Sequence, residues 1–129
     1  MKLHYPLRAV CRISSDFAAH VERHSLAPGI DFACPPGTGV LACRDGKVIV
    51  SEHGEISGRH IILYHEDGSL SLYCHLATFW RAKGERVKAG DVLGKSGNTG
   101  YSTGPHLHFA YKRGVDGYVD PAGMLVAPE

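Results

Sequence analysis

The sequence predicts an all-β fold, a single domain built on a mainly antiparallel sheet with overhanging loops and a short N-terminal helix or turn. Three observations lead there. Sixteen glycines and seven prolines fall in short, spaced clusters that punctuate the whole chain. Between them run short β-rich segments, at 30–34, 39–43, 46–53, 59–65, 69–76, 91–96 and 106–112. Only one stretch, near the N-terminus, has helical character.

Taken in order, that stretch comes first. Ser15 is placed to cap a short helix through Asp16-Phe17-Ala18-Ala19-His20-Val21-Glu22-Arg23, with Asp16 favouring its N-terminus. Pro28-Gly29 stops regular structure before the segment holding Asp31 between Ile30 and Phe32. Cys34 and Cys43 flank the turn-rich Pro35-Pro36-Gly37-Thr38-Gly39, and Arg44-Asp45-Gly46-Lys47 makes another turn. Glu66-Asp67-Gly68 joins Ile61-Ile62-Leu63-Tyr64-His65 to Ser69-Leu70-Ser71-Leu72-Tyr73 as a hairpin. Side chains alternate across a strand, so Leu70, Leu72, Cys74 and Leu76 are expected on the core face and His75 opposite them. In the last long strand His106 and His108 share one face and Leu107 and Phe109 the other. The preceding loop, Ser96 to Pro105, is rich in glycine and small polar residues and makes a wall beside the histidine pair.

The composition bounds the function. The chain of 129 residues is one domain's worth, large enough to bury an ordinary core. A net charge of +1 with no basic run argues against a nucleic-acid partner. The N-terminus has no apolar stretch like that of a secretory signal, and nothing approaches the roughly 18 apolar residues of a membrane span. The expectation is a chain that stays in the cytoplasm until release, or is phage-associated, or is a fragment of an exported protein. The four cysteines form no C-x-x-C pair and read as small buried residues, with a Cys34–Cys43 bridge across a hairpin as the alternative.

Nine histidines are many for this length, and count alone carries no claim. His4, His53, His60 and His65 have no spacing that demands a role and read as surface residues. His75, His106, His108 and Asp31 differ, because each sits beside a core-facing apolar residue. Imidazole is the commonest zinc ligand and the commonest acid/base group near neutral pH, so these four describe a metal site laid over a sheet. His20 and His24 lie four apart, as in H-E-x-x-H helices, but Val21 stands where that motif needs its glutamate.

Ser96-Gly97-Asn98-Thr99-Gly100 through Ser102-Thr103-Gly104-Pro105-His106-Leu107-His108-Phe109 closely resembles the C-terminal motif of the lysostaphin-type, or LytM-like, zinc metallopeptidases. Pro28-Gly29-Ile30-Asp31 with the following Phe32-Ala33, Leu72-Tyr73-Cys74-His75-Leu76, and Val87-Lys88-Ala89-Gly90-Asp91-Val92-Leu93-Gly94 resemble further segments of that family in the same order. The single domain, 1–129, thus has a recognisable core at about 15–121. The resemblance implies a zinc-dependent endopeptidase, with one zinc per chain, that hydrolyses stem or cross-bridge peptides of bacterial peptidoglycan. It implies Asp31 and His108 as metal ligands and His75 and His106 as catalytic histidines. The family's first ligand is a histidine four residues before the aspartate, where this chain has Ala27. His20 is favoured in its place and His24 is the alternative. Two other readings stand beside this one: an inactive LytM-like domain that binds wall peptide or activates a partner hydrolase, and a biotinyl- or phosphoryl-carrier module suggested by Arg86 to Gly94. The two methionines, Met1 and Met124, adjoin no lysine in a carrier-type hairpin.

Overall fold

Twelve strands and one α-helix follow one another through residues 1–126, the part of the chain described by the computed structural model. They are β1 (Leu3–His4), β2 (Arg12–Ser15), α1 (Phe17–Glu22), β3 (Ile30–Ala33), β4 (Gly39–Leu41), β5 (Gly46–Gly54), β6 (Gly58–Tyr64), β7 (Leu70–Phe79), β8 (Arg86–Val87), β9 (Val92–Ser96), β10 (Leu107–Lys112), β11 (Tyr118–Val119) and β12 (Leu125–Val126). All seven expected strands are present within a few residues. The additional ones, β1, β2, β8, β11 and β12, are two to four residues long.

The main sheet runs β2-β3-β10-β7-β6-β5-β8, with β9 joining β7 to β4 and β11 added to β10. Its ladders are antiparallel; β1 and β12 pair in parallel as a separate two-stranded ribbon. The helix is shorter than expected, and its cap is Asp16, whose side chain accepts from the Ala19 amide at 2.9 Å. Ser15 instead belongs to β2 and accepts from the Arg23 guanidinium at 3.0 Å.

One face of the sheet forms the core. Ile30 and Phe32 of β3, Leu107, Phe109 and Tyr111 of β10, Tyr73 of β7, and Ile61 and Leu63 of β6 are each at most 1% exposed. Burying side chains of this size stabilises the fold by about 2 kcal/mol each. Leu72, Cys74 and Ala110 form a smaller cluster on the opposite face, with Ala27, Ile62, Leu70 and Tyr118 packed around them.

That division corrects the expected faces of β7. Leu72 and Cys74 lie outside the core while Leu76 lies within it, so the alternation breaks between them. Arg59 and Ile61 of β6 oppose Leu76 and Tyr73 of β7, so two steps on one strand face three on the other. The extra residue is a β-bulge, and within it His75 adopts a left-handed backbone with φ 66°.

His65 is also corrected. It is fully buried, with Nδ1 on the Asp45 carbonyl at 2.7 Å and Nε2 on Ser71 Oγ at 2.8 Å. It closes the hairpin, where partners on both ring nitrogens offset the loss of water. His4 and His53 are exposed and His60 is half-buried. Cys34, Cys43 and Cys74 are buried; Cys11 is only partly so, and all four are free thiols. Phe79 packs on the core, whereas Trp80 is 57% exposed beneath Lys95.

Candidate metal and catalytic site

The register of three strands assembles the site. Asp31 of β3 lies opposite His108 of β10, and His108 lies opposite Cys74 of β7. Directly opposed residues share a face, so all three project on the side away from the core. Gly29 lets the chain approach β10 just before Asp31, because a Cβ there would lie 2.2 Å from the Phe109 carbonyl oxygen. Strand period then turns Ile30 and Phe32 inward and Asp31 outward.

His20 reaches the same place from α1. It is the buried residue of that helix, 4% exposed, and its Nε2 lies 3.3 Å from Asp31 Oδ2. His108 Nδ1 lies 2.8 Å from Asp31 Oδ1, and His106 Nε2 lies 3.7 Å from the same oxygen. His75 completes the group through its bulge, with ring centroids 4.6 Å from His106 and 6.4 Å from His108. His24, the alternative first ligand, is exposed, past the helix end, with φ 55°.

Each of the four imidazoles is anchored by a backbone carbonyl. His20 Nδ1 donates to Asp16 O at 2.8 Å and His108 Nε2 donates to Ala27 O at 2.7 Å. His75 Nδ1 donates to Thr99 O and His106 Nδ1 to Gly104 O, both at 2.7 Å. A carbonyl oxygen can only accept, so the proton of each neutral ring sits on the anchored nitrogen. The lone pairs are left on His20 Nε2, His75 Nε2, His106 Nε2 and His108 Nδ1. Two of these, on His20 and His108, face the carboxylate oxygens of Asp31, which also carry lone pairs. Acceptors this close repel unless a proton or a cation lies among them. The ligand atoms of His20, Asp31 and His108 lie within 4.8 Å of one another. These separations put all three donors within reach of one cation once the side chains draw in around it. Two imidazoles and a carboxylate, with tautomers set by outer partners, fit a divalent metal and leave room for a further ligand.

The electrostatics agree. Burial favours protonated Asp31, but where a proton on His108 Nδ1 takes the place of a cation, its hydrogen bond and the positive charge on the His108, His106 and His20 rings outweigh burial and hold the carboxyl below its ordinary value. Burial also lowers the His75 pKa, helped by His106 and His108 against the Thr99 carbonyl and Asp31. His75 is therefore a neutral ring at neutral pH, with Nε2 able to take a proton. Cys74 shares this face, against expectation; burial raises its thiol to about 12, so it remains protonated beside the cluster.

Sequence reasoning named the five clustered side chains but none of their anchors. Thr99 does most: its carbonyl holds His75, while its hydroxyl donates to Leu76 O at 2.6 Å and accepts from the Arg59 amide at 3.0 Å. Ala27, where the histidine of the resembled family is missing, supplies the carbonyl that orients His108. Carbonyl anchors leave no residue signature, since any residue has one.

Comparison with known proteins gives four related findings. The profile of Peptidase family M23 matches residues 25–121. Peptidoglycan DD-endopeptidase ShyA of Vibrio cholerae is 38% identical over 110 residues, covering 81% of this chain and 26% of that protein. Among solved structures, a zinc-containing peptidase from Vibrio cholerae superposes with a TM-score of 0.83 at 32% identity, covering 99% of this chain and 41% of that one. The catalytic domain of the antimicrobial peptidase lysostaphin from Staphylococcus simulans gives 0.70 at 37% identity, covering 74% of this chain and 75% of that one. The chain thus spans about a quarter of the length of the curated relative it matches.

Proposed function

The chain belongs to Peptidase family M23, and from that premise we propose that it is a zinc-dependent endopeptidase that cuts stem or cross-bridge peptides of bacterial peptidoglycan. The observation that carries the reading is the convergence of lone pairs from His20 Nε2, Asp31 and His108 Nδ1, with both imidazole tautomers held by backbone carbonyls. The named activity of ShyA and the zinc of the Vibrio cholerae peptidase support the substrate and the metal.

His20, Asp31 and His108 hold one zinc. Bound there, the metal supplies Lewis acidity, polarising the scissile carbonyl and lowering the pKa of water from about 15.7 toward 7. His75 and His106 handle protons. The neutral His75 ring accepts a proton from the attacking water at Nε2 while Thr99 holds its Nδ1–H. That proton then passes from His75 Nε2 to the leaving amine, while His106, fixed by Gly104 and by Ser102 Oγ at 3.2 Å, presents its own Nε2 lone pair on the same face to accept from the attacking water. Leu26, 87% exposed beside the Ala27 anchor, borders the cluster. So do Ile56 and Tyr101, 63% and 73% exposed and joined by a 2.9 Å backbone hydrogen bond near Thr99. These apolar borders suit the methyl groups of an extended alanine-containing peptide.

The test is digestion of purified peptidoglycan with and without chelator, beside zinc analysis of the same protein. Zinc-dependent release of amino groups is expected. Zinc bound without hydrolysis would make the chain a wall-peptide-binding domain; no zinc uptake at neutral pH would end the metallopeptidase reading.

A further inference from the structure

Two cysteines stand outside everything the site uses. The β2–β3 ladder pairs Arg12 with Ala33 and Ile13 with Phe32, and continuing that register one residue past the two strands would bring Cys11 opposite Cys34. Cys34 is 4% exposed within the core cluster, and Cys11 packs on that cluster while remaining open to solvent. The Cys11 amide donates to the Tyr5 hydroxyl at 3.2 Å rather than across the ladder. Opposed residues of an antiparallel pair have Cα atoms about 4.5–5.5 Å apart. A disulfide spans Cα separations of about 4.4–6.8 Å. Cys11 Sγ donates to the Ala9 carbonyl at 3.6 Å, both cysteines pack on the same core cluster, and burial, then the Cys34 thiol, raises the pKa of Cys11. Cys43 is set among Tyr73 and Ser71, and Cys74 lies on the other face of the sheet.

We propose that Cys11 and Cys34 form an intramolecular disulfide when the chain meets a disulfide oxidant, and that this bond staples the segment carrying His20 and Asp31. The closed loop contains α1, the Ala27 carbonyl and Asp31, hence two of the three clustered metal donors and the anchor of the third. Within the main sheet β2 is an outer strand, held on one side only by β3, so a covalent link there restrains a segment with little other support. The chemistry is two exchanges. The Cys11 thiolate, formed by loss of its proton, attacks one sulfur of a glutathione-type disulfide and expels a thiolate. The Cys34 thiolate then attacks Cys11 Sγ and expels the second. Two cysteine thiols are oxidised, one small disulfide is reduced to two thiols, and no further reactant is needed. The inference does not depend on the hydrolase reading.

The experiment treats the reduced full chain with oxidised glutathione at about pH 8.5, where a minor thiolate fraction of Cys11 carries the exchange even though burial raises its thiol. Denaturing alkylation and non-reducing peptide mapping follow. A Cys11–Cys34 linked peptide, two alkylated cysteines of the four, a monomeric chain and a Tm raised by about 5 °C or more are expected, all reversed by reductant. Cys43→Ser should leave the link intact, while Cys11→Ser and Cys34→Ser should each abolish it. Four alkylated cysteines, a lasting glutathione adduct on Cys11, a link to Cys43 or Cys74, or a linked dimer would each overturn the pairing. A formed link with an unchanged Tm would overturn the staple.

Discussion

Replacing Thr99 by Val separates proton handling from metal holding. The change keeps the shape of the side chain and removes its hydroxyl, which bridges the Arg59 amide at 3.0 Å and the Leu76 carbonyl at 2.6 Å. Both groups sit beside the bulge, where Arg59 pairs with Leu76. Leaving two half-buried backbone groups without this partner costs about 1 kcal/mol each, so about 2 kcal/mol in all. For a domain of this size that lowers Tm by about 7 °C. The Thr99 carbonyl is then no longer fixed against β6 and β7, and the His75 ring it orients loosens with it. Loss of such an outer partner typically costs about 10–100-fold in activity. The His20, Asp31 and His108 anchors are elsewhere, at Asp16 and Ala27, so zinc content should not change. The assay is kcat/KM on peptidoglycan fragments, with zinc stoichiometry and thermal melting on the same preparations. A Val variant with full activity would refute the positioning role, and one that lost zinc in proportion to activity would show that the two functions are not separable in this way.

Other substitutions divide the cluster further. His20→Ala should remove most bound zinc and His24→Ala should leave it in place; elemental analysis decides, and the reverse outcome would reassign the first ligand. His108→Ala should lose zinc and turnover together. His106→Ala and His75→Ala should keep zinc while losing about 2–4 orders of magnitude in rate, and retained activity in both would end their acid/base roles. His65 makes stability pH-dependent outside the site. Burial lowers its pKa, aided by Arg44 against the Asp45 carbonyl, so in acid the unfolded chain binds a proton that the folded chain refuses. Stability is therefore full above about pH 7 and falls as pH drops below the unfolded value near 6.5. Melting of the chelator-treated protein at about pH 7.5 and about pH 5.5 should show a smaller pH-dependent drop for His65→Gln, and an unchanged drop would exclude His65 as its source.

The local pattern of residues determined the fold class, seven of the strands and four members of the cluster, Asp31, His75, His106 and His108. Period-two alternation was enough to put His106 and His108 on one face and Leu107 and Phe109 on the other, because β10 is regular there. The same rule failed one strand away. In β7 a single extra residue moves Leu76 into the core, leaves Cys74 on the site face and turns His75 toward the other histidines. A bulge is set by the register of the neighbouring strand and by Thr99 arriving from a loop 24 residues later, and neither is written in the β7 sequence. His20 was separable from His24 only once α1 was docked, because both precede Asp31 in the chain but only His20 faces it. His65 read as a surface residue because its partners, Asp45 and Ser71, come from different elements. Alternation is a local property of the backbone, whereas the aim of a side chain at an irregular position, and the partner that satisfies a buried one, are properties of contacts between distant segments.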